Sequence, residues 1–379
     1  MNFELTNEQK LLKKMAREFA EKEVAPIAAE IDREHRFPRE TLDKMARYGM
    51  LGIPIPEEYG GAGADYLSYM LVIEEISRCC ASTATAFAAH TSLCCMPILH
   101  FGTEEQKRKY LPDLASGRKL GAFGLTEPEA GSDAGNQQTT AVEDGDSWVL
   151  NGSKCFITNG GQAQVYLIIA MTDKDKGTRG ISAFLVEDTD PGFSIGKIED
   201  KMGIRASATA ELVFQDCRIP KDRMLGPRGR GFNVAMWIVD GGRIGVAAQS
   251  VGIAQGALDN TIEYMKQRVQ FGKPIAKLQA LRFDIAEMAA KIECSRLICY
   301  KAAYEKVHDL PFIVDASIAK YIAAETAMYV TTKAVQLYGG YGFTTDFPVE
   351  RMMRDAKIMG IYDGTTEVQK LIISGALLK

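Results

Sequence analysis

A series of small residues in the C-terminal part of the sequence constrains the fold most. Gly245, Ala248, Gly252 and Gly256 recur at helical spacing within a long segment of low charge. Residues three or four positions apart lie on one face of a helix, and small side chains there let a second helix approach closely. The sequence therefore predicts closely packed helices in this part of the chain.

The pattern of the chain changes twice along its length. Residues 1–120 have the apolar periodicity of helices, whereas residues 121–225 contain short apolar runs separated by Gly, Asp and Pro. Residues 226–379 return to the helical pattern. The predicted fold class is therefore α+β, with an N-terminal α-helical domain, a middle antiparallel β-barrel or sandwich domain, and a C-terminal helical bundle domain.

Three local signals predict individual features of this architecture. Thr6 and Gln9 have the spacing of a capping box, and Pro26 is expected to end or kink the first helix. Asn151-Gly152 lies between two apolar runs and is predicted to form a hairpin turn.

Composition excludes several classes of function. The 45 basic and 49 acidic residues are spread along the chain, so no basic face indicates nucleic-acid binding. The N-terminus has no signal-peptide core, and no apolar run approaches the roughly 18 residues that would span a bilayer. The eight cysteines form no C-x-x-C pair, and with four histidines they do not suggest a metal site. We expect a cytoplasmic protein without membrane insertion.

The segment IYDGTTE near the C-terminus places an acid before Gly-Thr-Thr. Asp in such a turn commonly accepts backbone hydrogen bonds, and Gly adopts the unusual dihedral angles. Asp363 could therefore be a helix cap, but a carboxylate held at the start of a helix could also be a catalytic base. Turn chemistry alone leaves both interpretations open.

Three further motifs could contact a ligand. FGLTEPEAGSDAG offers Gly, Ser and Thr donors to a phosphate or a heterocycle, although it could also be a turn-rich connection. RVQFGKPI could bring Arg268 to a pyrophosphate, although a lone Arg is more often a surface residue. The glycines of QLYGGYGF suit a close approach of the backbone to a ligand or to another helix. None of these motifs is decisive alone.

In this order and spacing, the motifs resemble those of the acyl-CoA dehydrogenases, most closely the short-chain, butyryl-CoA-type branch. The resemblance covers nearly the whole chain and rests on FGLTEPEAGSD, NGSKCFITNGG, DKMGIRAS, DGGRIGVAAQSVGIAQGALD, RVQFGKPIAKLQALRFDIAEM, QLYGGYGF and IYDGTTE. It implies that the helical C-terminal domain is a four-helix bundle. It also implies an FAD cofactor, an acyl-CoA substrate, a homotetramer and an electron-transferring flavoprotein as electron acceptor.

The resemblance also assigns roles to individual residues. The flavin is expected to contact Phe123, Leu125, Thr126, Ser132, Phe156, Ile157 and Thr158, with Thr158 near flavin N5 and Phe156 in place of the family's usual Trp. The rest of the FAD is expected to contact Arg268, Phe271, Gln279, Gln336, Gly339 and Gly340 of a neighbouring subunit, and Thr365 and Glu367 at its phosphate end. The residues expected to contact the substrate are Ser132, Asp240, Gly242, Arg243 and Gly364.

The resemblance makes Asp363 the catalytic base, at a position where most members of the family have Glu. A minority of members place a Glu instead at the position of Gly242, so this chain has no second candidate. The expected reaction transfers the α-proton of the thioester to the carboxylate and a hydride from the β-carbon to flavin N5. The product is the 2-enoyl-CoA.

An Asp carboxylate lies about 1.5 Å closer to its backbone than a Glu carboxylate. Because misplacement by about 1 Å can cost roughly 100-fold in rate, a straight-chain substrate is expected to suit Asp363 poorly. We hypothesise that the substrate is a short-chain acyl-CoA or one that is α-branched or alicyclic, such as cyclohexanecarboxyl-CoA. Residues 79–100 contain no Arg or Lys for a second substrate carboxylate. His90, Thr91 and Ser92 could offer polar groups to the pocket or could be satisfied within their helix.

Two alternative functions keep the same fold. A flavin oxidase resembling nitroalkane oxidase would also use an Asp base, but the DGGR motif and Ser132 favour a CoA substrate. A non-catalytic flavoprotein partner would have lost its base, whereas this chain keeps an acid at position 363 and intact flavin motifs.

Overall fold

The computed structural model describes residues 4–378. The outer ends of the first and third predicted domains, residues 1–3 and 379, therefore lie outside the described residues. The N-terminal region is helical, and its α-helices are α1 (Asn7–Phe19), α2 (Ala28–Glu34), α3 (Arg39–Arg47), α4 (Tyr66–Cys79), α5 (Ala81–Ala88), α6 (Met96–Phe101) and α7 (Glu104–Ala115).

The first helix begins and ends as the sequence predicts. The Thr6 side chain accepts a hydrogen bond from the backbone N–H of Gln9, and the Gln9 side chain accepts one from the backbone N–H of Thr6. After Phe19 the helix widens into a π-helical turn, and a short 3-10 turn containing Pro26 follows it. The capping box and the break at Pro26 are both confirmed.

Helices α5 and α6 are joined by a π-helical segment, Ala89–Cys95, into one continuous run. By length and composition this run, Ala81–Phe101, is apolar enough to cross a membrane, contrary to the expectation from the sequence. However, 67% of its most apolar window is buried inside the protein, and the core helix of a soluble protein passes the same test. The run is therefore only weak evidence for a membrane span.

The middle region is an eight-stranded sheet. Its strands are β1 (Gly121–Gly124), β2 (Thr140–Asp144), β3 (Ser147–Thr158), β4 (Val165–Met171), β5 (Ile181–Glu187), β6 (Phe193–Ile198), β7 (Thr209–Pro220) and β8 (Met224–Leu225). Hydrogen-bonded neighbours follow the order β6-β7-β3-β2-β4-β5-β8, and β1 pairs with β4. Most pairs are antiparallel, as predicted, but β4 pairs in parallel with both β1 and β2.

The predicted hairpin turn at Asn151-Gly152 is wrong. The turn between β2 and β3 falls at Gly145, and Asn151-Gly152 lies inside β3, where the pairing with β7 shifts register. A Cβ atom at Gly152 would lie 2.7 Å from Thr139 Cα, so the glycine is needed for close approach of the neighbouring strand. The Asn151 side-chain oxygen Oδ1 also accepts a hydrogen bond from the backbone N–H of Asp216 across this bulge.

The C-terminal region is built on three long helices, α8 (Gly231–Gln267), α9 (Gln279–Val307) and α10 (Ile313–Tyr338). A short hairpin, β9 (Val269–Gln270) and β10 (Lys273–Pro274), joins the first two, and α11 (Pro348–Ala356) and α12 (Thr366–Leu377) follow. Helix α8 packs against α4, α9 and α10, so it connects the two helical regions.

The small residues of α8 make this packing possible. A Cβ atom at Gly252 would lie 2.2 Å from Glu74 O, and one at Gly256 would lie 2.1 Å from Arg78 O. Both oxygens belong to the backbone of α4, which cannot move aside as a flexible side chain can. The close helix packing predicted from the spacing of small residues is therefore confirmed.

We expect Gly256→Ala to destabilise the protein by about 1–3 kcal/mol, because the new methyl group would overlap the α4 backbone. The matched control is Gly245→Ala on the same helix, where the nearest atom to a new Cβ is Ile73 Cδ1 at 3.9 Å. Because Ala has a higher helix propensity than Gly, the control is expected to be neutral or stabilising. Denaturant unfolding measures both, and equal effects of the two changes would contradict the prediction.

Candidate active site

Asp363 lies in a turn between α11 and α12. Its φ is 51° and that of Gly364 is 88°, so two successive residues adopt left-handed backbone conformations. The N-cap of α12 is Thr365, whose Oγ1 accepts a hydrogen bond from the Val368 N–H at 3.3 Å. Asp363 is therefore not the helix cap. Within residues 4–378 its carboxylate has no hydrogen bond or ion pair.

The Asp363 carboxylate lies against helix α8 where that helix has no side chain. A Cβ atom at Gly242 would lie 2.9 Å from Asp363 Oδ2 and 3.2 Å from Leu93 Cδ2. One residue earlier on α8, Gly241 O accepts a hydrogen bond from the Tyr66 hydroxyl at 3.0 Å. Helices α4 and α8 and the segment containing Leu93 therefore meet around this carboxylate.

The electrostatic surroundings of Asp363 suit a base. Burial raises the pKa of Asp363 above its usual value, and the positive charges of Lys320 and Arg243 partly oppose this shift. Arg243 is itself buried and forms an ion pair with Asp240, which brings two of the predicted substrate residues together. The Arg243 Nε has no hydrogen-bond partner among the described residues.

The structure brings the two predicted flavin-ring segments together. The backbone N–H of Cys155 donates a hydrogen bond to Thr126 O at 2.9 Å, which joins strand β3 to the loop after β1. A register shift between Lys154 and Ile157 turns Phe156 to a φ of 59° and leaves its ring 64% exposed. Ile157 is buried and Thr158 pairs with Thr209.

A buried ion pair behind the loop was not predicted from the sequence. Lys154 is 0% exposed, and its ammonium contacts Glu127 Oε1 and Gln137 Oε1, each at 2.5 Å. The Glu127 carboxylate also accepts hydrogen bonds from the backbone N–H groups of Gln138 and Thr139. Burial lowers the pKa of Lys154 to about 8, and Glu127 opposes this shift. The pair fixes both ends of the loop that contains Thr126.

A group of half-buried apolar side chains includes Phe123 and Leu125 of the predicted flavin-ring segments. They pack on one buried cluster and come from the π-helical segment, α6, β1, the loop after β1, and α8: Leu93, Met96, Leu99, Phe101, Phe123, Leu125, Phe232, Met236 and Trp237. In contrast, the hydrogen-bonding atoms of His90, Thr91 and Ser92 have backbone partners at Leu114, Leu51 and Ala88. These three residues are satisfied structural residues.

The remaining predicted FAD residues lie at the surface of the single chain. Phe271 is 89% exposed at the tip of the β9–β10 hairpin, and Gln279, Gly339, Gly340 and Ser132 are also exposed. Arg268 lies over the ring of Tyr341, which places it beside the segment that contains Gly339 and Gly340. Within residues 4–378, no hydrogen bond or ion pair joins these surface residues to Asp363.

A surface cavity of about 790 Å³ brings together two other predicted FAD residues, Gln336 and Glu367. Thr366, the first residue of α12, also lines this cavity. The N-terminus of a helix can bind an anionic group such as a phosphate through its free backbone N–H groups. This geometry suits the predicted contact between the start of α12 and the FAD phosphates.

Family comparisons agree with this geometry along the whole chain. Models of the N-terminal, middle and C-terminal domains of acyl-CoA dehydrogenase match residues 6–118, 122–217 and 229–378. The chain belongs to the acyl-CoA dehydrogenase family. It is therefore a flavin-dependent oxidoreductase with FAD as its cofactor, and the three-domain fold predicted from the sequence is confirmed.

Individual acyl-CoA dehydrogenases are also similar to the chain over its full length. It is 59% identical to a short-chain specific acyl-CoA dehydrogenase of Clostridium acetobutylicum, and the match covers 100% of both chains. Among solved structures, butyryl-CoA dehydrogenase of Megasphaera elsdenii is 52% identical, with a TM-score of 0.98 and 100% of both chains covered. A chain in a structure described as the electron transferring flavoprotein of Acidaminococcus fermentans is 54% identical, with a TM-score of 0.99 and 100% of both chains covered.

The residues of this acyl-CoA dehydrogenase fit an FAD. The exposed Phe156 ring and the half-buried Phe123 and Leu125 offer apolar contacts to a flavin ring, and Thr126 and Thr158 offer hydroxyl groups beside them. No group of three or more His, Cys, Asp or Glu that could hold a metal ion occurs in residues 4–378.

We expect Lys154→Met to lower the stability of the protein by about 3–5 kcal/mol, because it leaves the Glu127 carboxylate buried and unpaired. The same change should lower the FAD content, since Glu127 holds the loop that contains Thr126. In the double variant Lys154→Met/Glu127→Gln the amide removes the unpaired charge and keeps an acceptor for the backbone, so stability should partly recover. Denaturant unfolding and flavin absorbance measure these effects, and a double variant less stable than Lys154→Met would contradict the prediction.

Proposed function

We propose that the protein dehydrogenates a short-chain acyl-CoA between the α- and β-carbons, with Asp363 as the base. The α-proton moves to the Asp363 carboxylate, and its C–H electron pair forms the new C=C bond. The β-hydrogen leaves with its own electron pair as a hydride, so the acyl-CoA is oxidised to the 2-enoyl-CoA. FAD, when bound, accepts this hydride and is reduced.

One observation carries the assignment of Asp363. Its carboxylate has no hydrogen bond or ion pair among residues 4–378, although burial raises its pKa. A structural carboxylate in such a place would normally be neutralised by a partner. Asp240, in contrast, is already committed to its ion pair with Arg243, and position 242 is a glycine. An unpaired carboxylate of raised pKa suits abstraction of a weakly acidic proton.

The names of the relatives support a short acyl chain. The similar proteins of Clostridium acetobutylicum and Megasphaera elsdenii are named short-chain specific and butyryl-CoA dehydrogenase, which supports a short acyl-CoA substrate. Their names give no support to an α-branched or alicyclic substrate such as cyclohexanecarboxyl-CoA. That substrate remains a hypothesis that rests only on the short side chain of Asp363.

The electron acceptor that we propose is an electron-transferring flavoprotein. A chain 54% identical to this one occurs in a structure named for such a flavoprotein. We also propose a homotetramer, the assembly that the resemblance to the family implies. The side chains of Phe271 and Phe343, each 89% exposed near the predicted FAD-binding residues of the surface, support a contact with a neighbouring subunit. A neighbouring subunit would cover them and would complete the FAD site.

We expect Asp363→Asn to slow flavin reduction by butyryl-CoA by about 100- to 10,000-fold, the usual contribution of a general base. FAD content should not change, because the carboxylate has no hydrogen bond to lose. The matched control is Asp309→Asn, which changes an exposed Asp with a similar φ of 53°. Anaerobic stopped-flow absorbance measures the rate. A rate within threefold of the unmodified protein would contradict the role of Asp363, and rapid oxygen uptake with nitroethane would favour the oxidase alternative.

Lengthening the base tests the shape of the substrate at the α-carbon. Asp363→Glu moves the carboxylate about 1.5 Å outward, so the ratio of kcat/KM for butyryl-CoA to that for cyclohexanecarboxyl-CoA should rise by tenfold or more. The unmodified protein should prefer butyryl-CoA. If it turns over cyclohexanecarboxyl-CoA faster, the alicyclic hypothesis replaces the short-chain proposal, and an unchanged ratio in Asp363→Glu would show that the length of the base does not select the substrate.

A further inference from the structure

Lys320 on helix α10 is a buried cation next to the Asp363 turn. Its side chain is 0% exposed, and its ammonium donates a hydrogen bond to Gly364 O at 2.6 Å. No carboxylate within residues 4–378 forms an ion pair with it. Removing an ammonium from water without an ion-pair partner costs free energy of folding. A lysine kept in such a place therefore indicates a function for its charge. No motif in the sequence pointed to this residue.

The charge of Lys320 acts on Asp363. Burial lowers the pKa of Lys320 to about 8, and Asp363 is the main group that opposes this shift. Conversely, two cations lower the pKa of Asp363 against the effect of burial. Lys320 has the larger effect and Arg243 the smaller. Because the charge of Arg243 is shared with Asp240, Lys320 is the cation near Asp363 that is not committed to another acid.

The other titratable groups around Asp363 do not compete with this effect. Tyr66 from α4 and Tyr362 in the same turn have pKa values that burial raises well above 10, so both stay neutral at ordinary pH. Glu367 in the first turn of α12 interacts with Lys320 but is exposed to solvent, which screens its charge. Lys320 and Arg243 are therefore the charged groups that favour the ionised form of Asp363 against the effect of burial.

We propose that Lys320 is a positioning residue for α-proton abstraction, which keeps the Asp363 carboxylate ionised and holds its turn through Gly364 O. This inference rests on the proposed role of Asp363 as the base. A base must be ionised before it can accept a proton, yet burial favours its neutral form. The buried ammonium favours the ionised form without forming a direct ion pair that would occupy the carboxylate oxygens.

The structure allows the charge of Lys320 to be separated from its hydrogen bond. Gly364 O accepts a second hydrogen bond, from Gln369 Nε2 at 2.9 Å. In Lys320→Met the carbonyl therefore keeps one donor, and the turn keeps its anchor while the charge is lost. In Gln369→Met the carbonyl keeps Lys320 as its donor, so a hydrogen bond is lost while the charge stays.

The experiment compares these two variants with the unmodified holoenzyme. The rate of flavin reduction by butyryl-CoA is measured anaerobically across pH, and the protonation of Asp363 is followed separately by infrared difference spectra of carbon-13 aspartate, with Asp363→Asn subtracted. The rate rises with pH as the base ionises. Because removal of the cation raises the pKa of Asp363, the increase in rate should occur at a pH roughly one to three units higher in Lys320→Met.

The expected pattern distinguishes a positioning role from a structural one. At pH values below the raised pKa of Asp363, the rate of Lys320→Met should fall about tenfold for each pH unit by which the pH is lowered. At high pH it should approach the rate of the unmodified protein. Gln369→Met should leave the pKa of Asp363 in place. The matched control is Lys301→Met, which removes an exposed lysine that pairs with Asp315 at 2.8 Å, and it should change neither measurement.

Two outcomes would overturn the proposal. If Lys320→Met lowers the rate equally at every pH and the infrared titration does not move, Lys320 has only a structural role. If Gln369→Met moves the titration as far as Lys320→Met, the hydrogen bond and not the charge controls Asp363. A failure of the proposed function can be distinguished from a failure of this proposal. If Asp363 is not the base, Asp363→Asn remains active, whatever the infrared titration of Asp363 shows.

Discussion

In the proposed mechanism, the rest of the site depends on keeping one carboxylate, that of Asp363, ionised without giving it a hydrogen-bond partner. Asp363 is held by its backbone, through two successive left-handed residues and two hydrogen bonds to Gly364 O. Its side chain therefore has no hydrogen bond that would restrict it. The positive charges of Lys320 and Arg243 partly offset the effect of burial, which favours the neutral carboxyl group. Asp tolerates the left-handed conformation better than most residues, so its short polar side chain suits this turn.

This arrangement explains why the helices of both helical regions must pack so closely. The carboxylate lies over Gly242 of α8, and α8 in turn contacts α4 through glycines that leave no room for a side chain. Lys320 reaches the turn from α10, which packs on α8. A shift of α8 would therefore change the position of Asp363 relative to the cations. Helix α8 therefore uses glycines for two purposes, since Gly252 and Gly256 allow close packing on α4 and Gly242 leaves space for the Asp363 carboxylate.

Features encoded by neighbouring residues could be predicted from the sequence, and those that depend on distant partners could not. The capping box at Thr6 and the break at Pro26 follow from adjacent residues and are confirmed. The prediction of a hairpin turn at Asn151-Gly152 was wrong, because β3 continues through these residues and forms a bulge where it pairs with β7. Similarly, Lys154 and Lys320 resemble ordinary surface lysines in the sequence, since their partners lie 27 and 44 positions away.

The contact between Gly242 and Asp363 also relates the two positions at which the family is expected to carry its base. Asp363 Oδ2 lies 2.9 Å from the point where a side chain at position 242 would begin. A carboxylate extended from α8 and one extended from the turn would therefore occupy the same space, so one chain can use only one of them. Glycine at position 242 leaves that space to Asp363. The Asp side chain is short and has few rotamers with which to adjust the position of its carboxylate. The carboxylate must therefore be positioned by its turn, which Lys320 and Gln369 hold through Gly364 O.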